Sequence, residues 1–244
     1  LLVNDGEIEC TWCELPENLH VATKNEVVAF ADCVIISNPH GIHLQKYIRS
    51  PQKCFLFMQM AEHMFDTDKD WQQKCFDFYT SKYPLICISW WNREMLLNKY
   101  GRTPDNTFYI GNGINLQHFP IVAKKDPEKI VLIEGWESTN PTKDSDGIGP
   151  KVAEKLLLEG FKIIAYSGVR RKTGRRLNVE YHRQPSLALL NDLYTRAAIM
   201  VKVTKYDARS CAPLEAMTKG TPTVRGIIEG DDDLVNDLNC IKCY

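Results

Sequence analysis

The sequence lacks an excess of either charge. Across 244 residues, 30 Lys and Arg stand against 31 Asp and Glu, a net charge of -1. A broad electrostatic footprint for nucleic acid or an anionic membrane is absent, and no nucleic-acid partner is expected. The longest basic run, Arg170-Arg171-Lys172 with Arg175-Arg176, is local and reads as a loop. No stretch approaches the roughly 20 apolar residues of a membrane span, so no transmembrane segment is expected. No signal-peptide pattern is visible, and the chain opens Leu-Leu-Val without a methionine. Internal repeats and low-complexity tracts are missing as well. What is present is an ordinary globular composition, 44% hydrophobic and 25% charged, long enough for one large or two ordinary domains.

A disulfide framework is also absent. Nine cysteines form an odd set at irregular spacing, several of them (Cys33, Cys54, Cys87) in apolar runs. That usage fits a reducing cytoplasm, the expected location, better than secretion. Cys10-Thr-Trp-Cys13 and Cys240-Ile-Lys-Cys243 each have metal-ligand spacing, but they stand at opposite ends of the chain, whereas zinc ribbons use short spacers. Ordinary reduced thiols are expected.

Strand-like apolar runs alternate with helical stretches, which predicts an α/β protein with parallel sheets. Strands are expected at 31–37, 53–59, 85–89 and 108–111, with a polar loop over 61–70 and a helix over 92–99 that Gly101 ends. The proline-punctuated stretch 120–129 reads as an interdomain linker. Beyond it, strands are expected at 130–134, 161–165 and 198–203, and helices at 151–158 and 185–197.

The last of these strands points at Asp207-Ala-Arg-Ser-Cys-Ala-Pro-Leu-Glu215, a loop of mostly small residues that enters a helix. Backbone N–H groups and the helix dipole at such a start favour an anion such as a diphosphate. A carboxylate can accept two hydrogen bonds from a sugar diol. Acid, small loop and acid therefore suit a nucleotide-sugar, with its ribose hydroxyls, diphosphate and hexose hydroxyls. Glu215, read as lying in the first turn, could equally serve only to complement the helix dipole, and Asp207 could be a solvated loop carboxylate.

The segment resembles the acidic-x7-glutamate motif of retaining GT-B glycosyltransferases of the family 4 type. Leu214-Glu215-Ala216-Met217 and Gly220-Thr221-Pro222 match it closely, and Leu193-Tyr194 with Ala197-Ala198 resembles the approach to it. Asn112-Gly113-Ile114-Asn115 and Phe119 resemble the signature between that family's two domains, and Gly135 and Lys143 its first donor-domain loop. The resemblance covers about residues 89–230. Within it, Asp207 stands in place of the usual glutamate, Arg209 and Ser210 in place of an aromatic residue and glycine, and Trp136 where many members place an arginine.

The resemblance implies two Rossmann-like α/β domains facing across a cleft, the N-terminal one reduced: an acceptor-side domain over 1–118 and a donor-binding domain over 119–244. It implies transfer of a sugar from a nucleotide-diphosphate sugar to a saccharide, lipid-linked or other hydroxyl acceptor, with retention of configuration. Lys143 would stabilise the leaving diphosphate, Asp207 would bind hexose hydroxyls, and Glu215 would bind ribose. Gly135, Trp136, His182, Arg209, Ser210, Cys211, Ala212 and Leu214 would complete the donor site, with Tyr181-His182-Arg183 near the base. On the acceptor side, His40 and Asn112 are candidates, with Glu62 and His63 as possible catalytic groups. No cofactor or divalent metal is expected, because positive side chains do the metal's work in that family, and Asp231-Asp232-Asp233 reads as solvated surface. Two other readings stay open: a nucleotide-sugar binder without catalysis, and a nucleotide-sugar epimerase.

The metal expectation has a direct check. Donor binding should survive excess chelator, whereas stoichiometric zinc in purified protein, with unfolding on its removal, would overturn it.

Overall fold

A computed structural model of the chain describes residues 2–3, 21–22, 32–49, 53–64, 66–122, 124, 126–136, 147–168, 177–226 and 240–243. Two short strands, β1 (Leu2–Val3) and β2 (Val21–Ala22), pair in parallel. The chain divides into two compact units, residues 1–111 and 112–244.

The first unit holds β3 (Cys33–Ile36), a 3-10 helix (Pro39–Tyr47), β4 (Lys53–Met58), α1 (Lys69–Thr80), β5 (Leu85–Cys87), α2 (Trp90–Tyr100) and β6 (Thr107–Tyr109). Its four strands form a parallel sheet in sequence order, β3-β4-β5-β6. Alternate residues of β4, Cys54, Leu56 and Met58, are buried and pack with Leu85, Phe78, Tyr79 and Leu96. Each helix has a local reason to start. The Asp68 side chain accepts from the Trp71 amide at 3.0 Å, and the Ser89 hydroxyl accepts from the Asn92 amide at 3.2 Å. Gly101, at φ 65°, ends α2 in the left-handed conformation that glycine adopts without strain.

The helix α1 falls where the sequence suggested only the end of a polar loop. Trp71, Cys75, Phe78 and Tyr79 share one helical face against the core, but charged and amide residues between them dilute the pattern.

The second unit holds β7 (Glu128–Glu134), α3 (Ile148–Leu158), β8 (Lys162–Ser167), β9 (Glu180–Arg183), α4 (Leu187–Arg196), β10 (Ala197–Lys202), α5 (Cys211–Thr218), β11 (Thr223–Gly226) and β12 (Cys240–Cys243). The sheet order is β9-β8-β7-β10-β11-β12, all parallel. This is the doubly wound order, in which the winding reverses between the first and fourth strands, here β7 and β10. Strands covered on both faces read as continuous apolar runs. In β7, Ile130 and Leu132 enter one core cluster, with Leu193, Tyr194 and Ala216, while Val131 and Ile133 enter the other, with Ala153.

The unit boundary precedes the expected one between residues 118 and 119. Phe119 is buried in the second unit's core, with Ile114 packed against it, and the His118 carbonyl accepts from Asn191 Nδ2 at 2.7 Å. Nor is 120–129 a free linker. The Val122 amide donates to the Thr218 carbonyl at 2.9 Å, Lys219 Nζ donates to the Pro120 carbonyl at 2.5 Å, and β7 has begun by Glu128. Among the described residues, no helix is long and apolar enough to cross a membrane.

One buried cation organises the first unit. Arg102 Nε donates to Thr107 Oγ1 at 3.0 Å, Nη1 to the carbonyls of Tyr79 (3.1 Å) and Ser81 (2.7 Å), and Nη2 to those of Tyr83 (2.7 Å) and Asn106 (2.9 Å). It thereby satisfies carbonyls at the end of α1, which the helix cannot pair itself. Arg102→Met should destabilise this unit by about 3 kcal/mol or more, since charge-assisted bonds are lost and buried carbonyls are stranded. Arg102→Lys should recover only part, because an ammonium cannot reproduce the guanidinium fork. Urea midpoints of the two variants against the parent check both.

Candidate functional site

At the carboxyl end of the second sheet, strand register lines up one row of residues. Arg225, Lys202, Glu134, Tyr166 and His182 are successive partners across β11, β10, β7, β8 and β9. Lys202 and Glu134 stand where the winding reverses, the position at which open α/β sheets bind ligands. Lys202 Nζ lies 2.5 Å from Glu134 Oε2 and 3.5 Å from Asp207 Oδ2, and its side chain is only 3% exposed.

The loop after β10 carries Asp207, whose carboxylate also accepts a short hydrogen bond from the Ser210 hydroxyl. Ser210 precedes α5 but does not cap it with its side chain. Glu215 lies in the second turn of α5, not the first, because the helix starts at Cys211. Its role is therefore not dipole complementarity at a helix start. Its Oε2 accepts from the Tyr194 hydroxyl at 3.0 Å, and that hydroxyl lies 2.8 Å from the Tyr166 hydroxyl. Two tyrosines thus tie Glu215 back to the sheet row.

The electrostatics follow from burial and charge placement. Burial pushes the Lys202 ammonium down, but Glu134 and Asp207 outweigh it, so the net direction is upward and the lysine stays charged. Burial pushes the Glu215 carboxyl up; the Tyr194 hydrogen bond and Lys202 pull against it, Glu134 adds to it, and the net direction is upward. Burial and then Glu215 and Asp207 raise the Cys211 thiol, which disfavours the thiolate. Asn112 Nδ2 lies 3.8 Å from Cys211 Sγ, which places Asn112 beside this loop and within the second unit.

In the first unit, His40, Glu62 and His63 gather around α1. The His40 ring packs on Trp71 with centroids 4.6 Å apart, and Trp71 Nε1 donates to the Glu62 carbonyl at 3.1 Å. The Tyr79 hydroxyl donates to Glu62 Oε2 at 2.9 Å, and His63 Nδ1 lies 3.4 Å from the same hydroxyl. Burial pushes the Glu62 carboxyl up to about 7. Burial, and then the charge of Lys99, pushes His63 down.

No protein-family model matches the sequence, and no curated protein matches it. Solved structures match it in fold. TarM superimposes with a TM-score of 0.69 at 18% identity, over 87% of this chain and 45% of that one. HepE from Anabaena, in complex with UDP-glucose, gives 0.69 at 13%, over 90% and 67%. Sucrose-phosphate synthase from Thermosynechococcus elongatus gives 0.67 at 16%, over 86% and 60%. The fold is that of the GT-B glycosyltransferases, in reduced form. The chain spans less than half the length of TarM.

Within this GT-B frame, the structure brings Asp207, Ser210, Cys211, Glu215 and Asn112 together. Arg209, Ala212 and Leu214 lie on the same half-buried segment. Gly135 directly follows Glu134, with φ 87°, a conformation that favours glycine. His182 is on the row, two strands from Glu134, and its Nε2 lies 2.9 Å from Glu180 Oε1. Trp136 corrects the expectation: it is fully buried with Val131, Ile133 and Ala153, on the sheet face opposite Tyr194, so its ring belongs to the core. Lys143, the 170–176 basic run, Asp231-Asp232-Asp233, Cys10 and Cys13 lie outside the described residues. The sequence reading missed Glu134, Lys202 and Tyr166. The available signal was a charged residue closing each of two apolar runs, Ile130-Val-Leu-Ile-Glu134 and Ala198-Ile-Met-Val-Lys202.

Glu62 yields a pH-dependent expectation. Its folded carboxyl is raised from 4.5 to about 7, so its contribution to stability is full below pH 4.5 and is lost as pH rises through 7. Glu62→Gln keeps an acceptor for Tyr79 and removes the ionisation. The variant should match the parent near pH 4.5 and exceed it at pH 8 by as much as roughly 3 kcal/mol, read from urea unfolding at the two pH values.

Proposed function

We propose that the chain is a glycosyltransferase of the retaining, family 4 type, which moves a sugar from a nucleotide-diphosphate sugar to an acceptor hydroxyl. The observation that carries this reading is the pair of anchored carboxylates, Asp207 and Glu215, flanking the start of α5 at the winding reversal of the second sheet. Because the Ser210 side chain bonds Asp207 and not the helix amides, those amides suit a diphosphate. Solved relatives of the same fold with UDP-glucose, or with UDP and a saccharide, support a nucleotide-sugar as the ligand class.

In this reading the 112–244 unit binds the donor. Glu215 accepts ribose hydroxyls and Asp207 accepts hexose hydroxyls. Cleavage of the anomeric C–O bond leaves charge on the diphosphate oxygen and positive charge on the anomeric carbon. Stabilising that leaving group is the main catalytic demand, assigned to Lys143 and the loop amides. The acceptor hydroxyl forms the new bond on the same face and gives its proton to the departing diphosphate oxygen. The 1–111 unit supplies the acceptor side, with His40, Glu62 and His63 as its candidate groups. The reaction takes place in the cytoplasm, with positive side chains in place of a divalent metal.

A second reading, a nucleotide-sugar binder without turnover, is favoured by one observation. Trp136, which stands where many relatives place a diphosphate-contacting arginine, is committed to the core. Release of free sugar from a nucleotide-sugar donor separates the two readings, since a pure binder releases none.

Three variants test the assignment of roles. Glu215→Gln removes a charge-assisted acceptor worth roughly 1.5–3 kcal/mol, so affinity for the bare nucleoside diphosphate should fall by roughly ten- to a hundredfold. Asp207→Asn should leave the bare nucleotide nearly unchanged while weakening the nucleotide-sugar. Lys143→Ala should chiefly slow turnover. Titration calorimetry on variants that melt near the parent temperature reads the first two, and equal losses for both ligands in Asp207→Asn would refute the division.

A further inference from the structure

One cation beside the acidic loop comes from within the sheet. Lys202 closes β10 as its last residue, the register partner of Glu134 on one side and Arg225 on the other. Its ammonium lies 2.5 Å from Glu134 and 3.5 Å from Asp207. Glu134 of β7 and Asp207 of the loop lie against it, Arg225 of β11 is its register partner, and its charge also acts on Glu215 of α5. The Cys211 thiol also senses its charge.

We propose that Lys202 is a positioning residue of the donor site, an internal cation that pins Asp207 at the mouth of the loop and keeps Glu215 a hydrogen-bond acceptor. The assignment of these carboxylates to a nucleotide-sugar rests on the function proposed above. The geometry gives a reason for a buried lysine at a strand end. Both the lysine and the Ser210 hydroxyl address the same Asp207 oxygen, Oδ2, which fixes that end of the carboxylate. A half-buried glutamate without a nearby cation takes up a proton and then donates where a ribose diol needs an acceptor. Glu134 is the counterweight. It anchors Lys202 but opposes Glu215, so the two residues of the pair act on Glu215 in opposite directions.

The test follows the Glu215 side-chain carboxyl by ¹³C NMR against pH in ligand-free protein, assigned by the signal lost in Glu215→Gln. Lys202→Met should move the titration midpoint up, Glu134→Gln should move it down, and the double variant should return close to the parent. Lys202→Arg, which keeps the charge, should hold it near the parent. If Lys202→Met does not fold, the double variant against Glu134→Gln reads the same effect, and the double variant should titrate higher. A midpoint that does not move between those two overturns the proposal. Calorimetry with uridine diphosphate and UDP-glucose adds the functional arm: affinity lost by Lys202→Met at pH 7 should be regained at pH 9. Equal loss at both pH values, with an unmoved midpoint, means a structural role alone and also overturns it. If the parent binds neither ligand, the donor reading fails, while the titration still decides the role of Lys202.

Discussion

The buried contact between Lys202 and Glu134 is the constraint on which the second unit's site depends. Taking two such charges out of water costs several kcal/mol per ion, and only close geometry with further partners offsets it. The 2.5 Å separation and the additional carboxylate of Asp207 meet that condition. A buried ion pair is still weak evidence for stability, because an apolar pair of similar volume does as well or better. Its placement is more informative. The pair joins the two strands between which the sheet reverses its winding, and so it joins the strand before the Gly135 turn to the strand before the acidic loop. Glu215 is then tied to the same row through Tyr194 and Tyr166.

The first unit meets its own buried-polar problem differently. Arg102 faces no carboxylate among its hydrogen-bond partners and instead satisfies four carbonyls and a hydroxyl. Glu62 has Tyr79 but no ion-pair partner among the described residues, and burial raises its carboxyl to about 7, a value suited to proton transfer near neutral pH. The buried cation and the buried carboxylate thus have separate partners in the first unit, whereas in the second they contact each other. Solved GT-B structures at 13–18% identity share the backbone arrangement. Apolar strands covered on both faces can be built from many sequences, so the fold alone does not carry the chemistry, which must be argued from these side chains.

Much of the fold was legible in the chain because parallel strands buried on both sides must be apolar along their whole length. Ile130 to Ile133 and Ile163 to Ala165 could hardly be anything else. Helix ends were legible where glycine adopts a left-handed conformation, as at Gly101 and Gly220. The helix Lys69–Thr80 was not, since its apolar face is spread among lysine, glutamine and aspartate. The linker reading of 120–129 failed for a related reason: a proline-punctuated, polar stretch resembles a linker, but the Val122 amide donates to the Thr218 carbonyl and the Pro120 carbonyl accepts from the Lys219 side chain, which docks it on the second unit.

For the site, the sequence alone determined the local part: which residues lie on the acidic loop, that a helix follows it, and that Gly220 stops that helix. Those features depend on neighbours along the chain. Tertiary structure decided the rest. Glu134 and Lys202 are far apart in sequence and meet only through the register of two parallel strands, Tyr166 and Tyr194 reach Glu215 from a third strand and a different helix, and Trp136 turns to the opposite face of the sheet. Strand register is set by the packing of whole faces. No local pattern therefore announces which buried lysine will find which carboxylate.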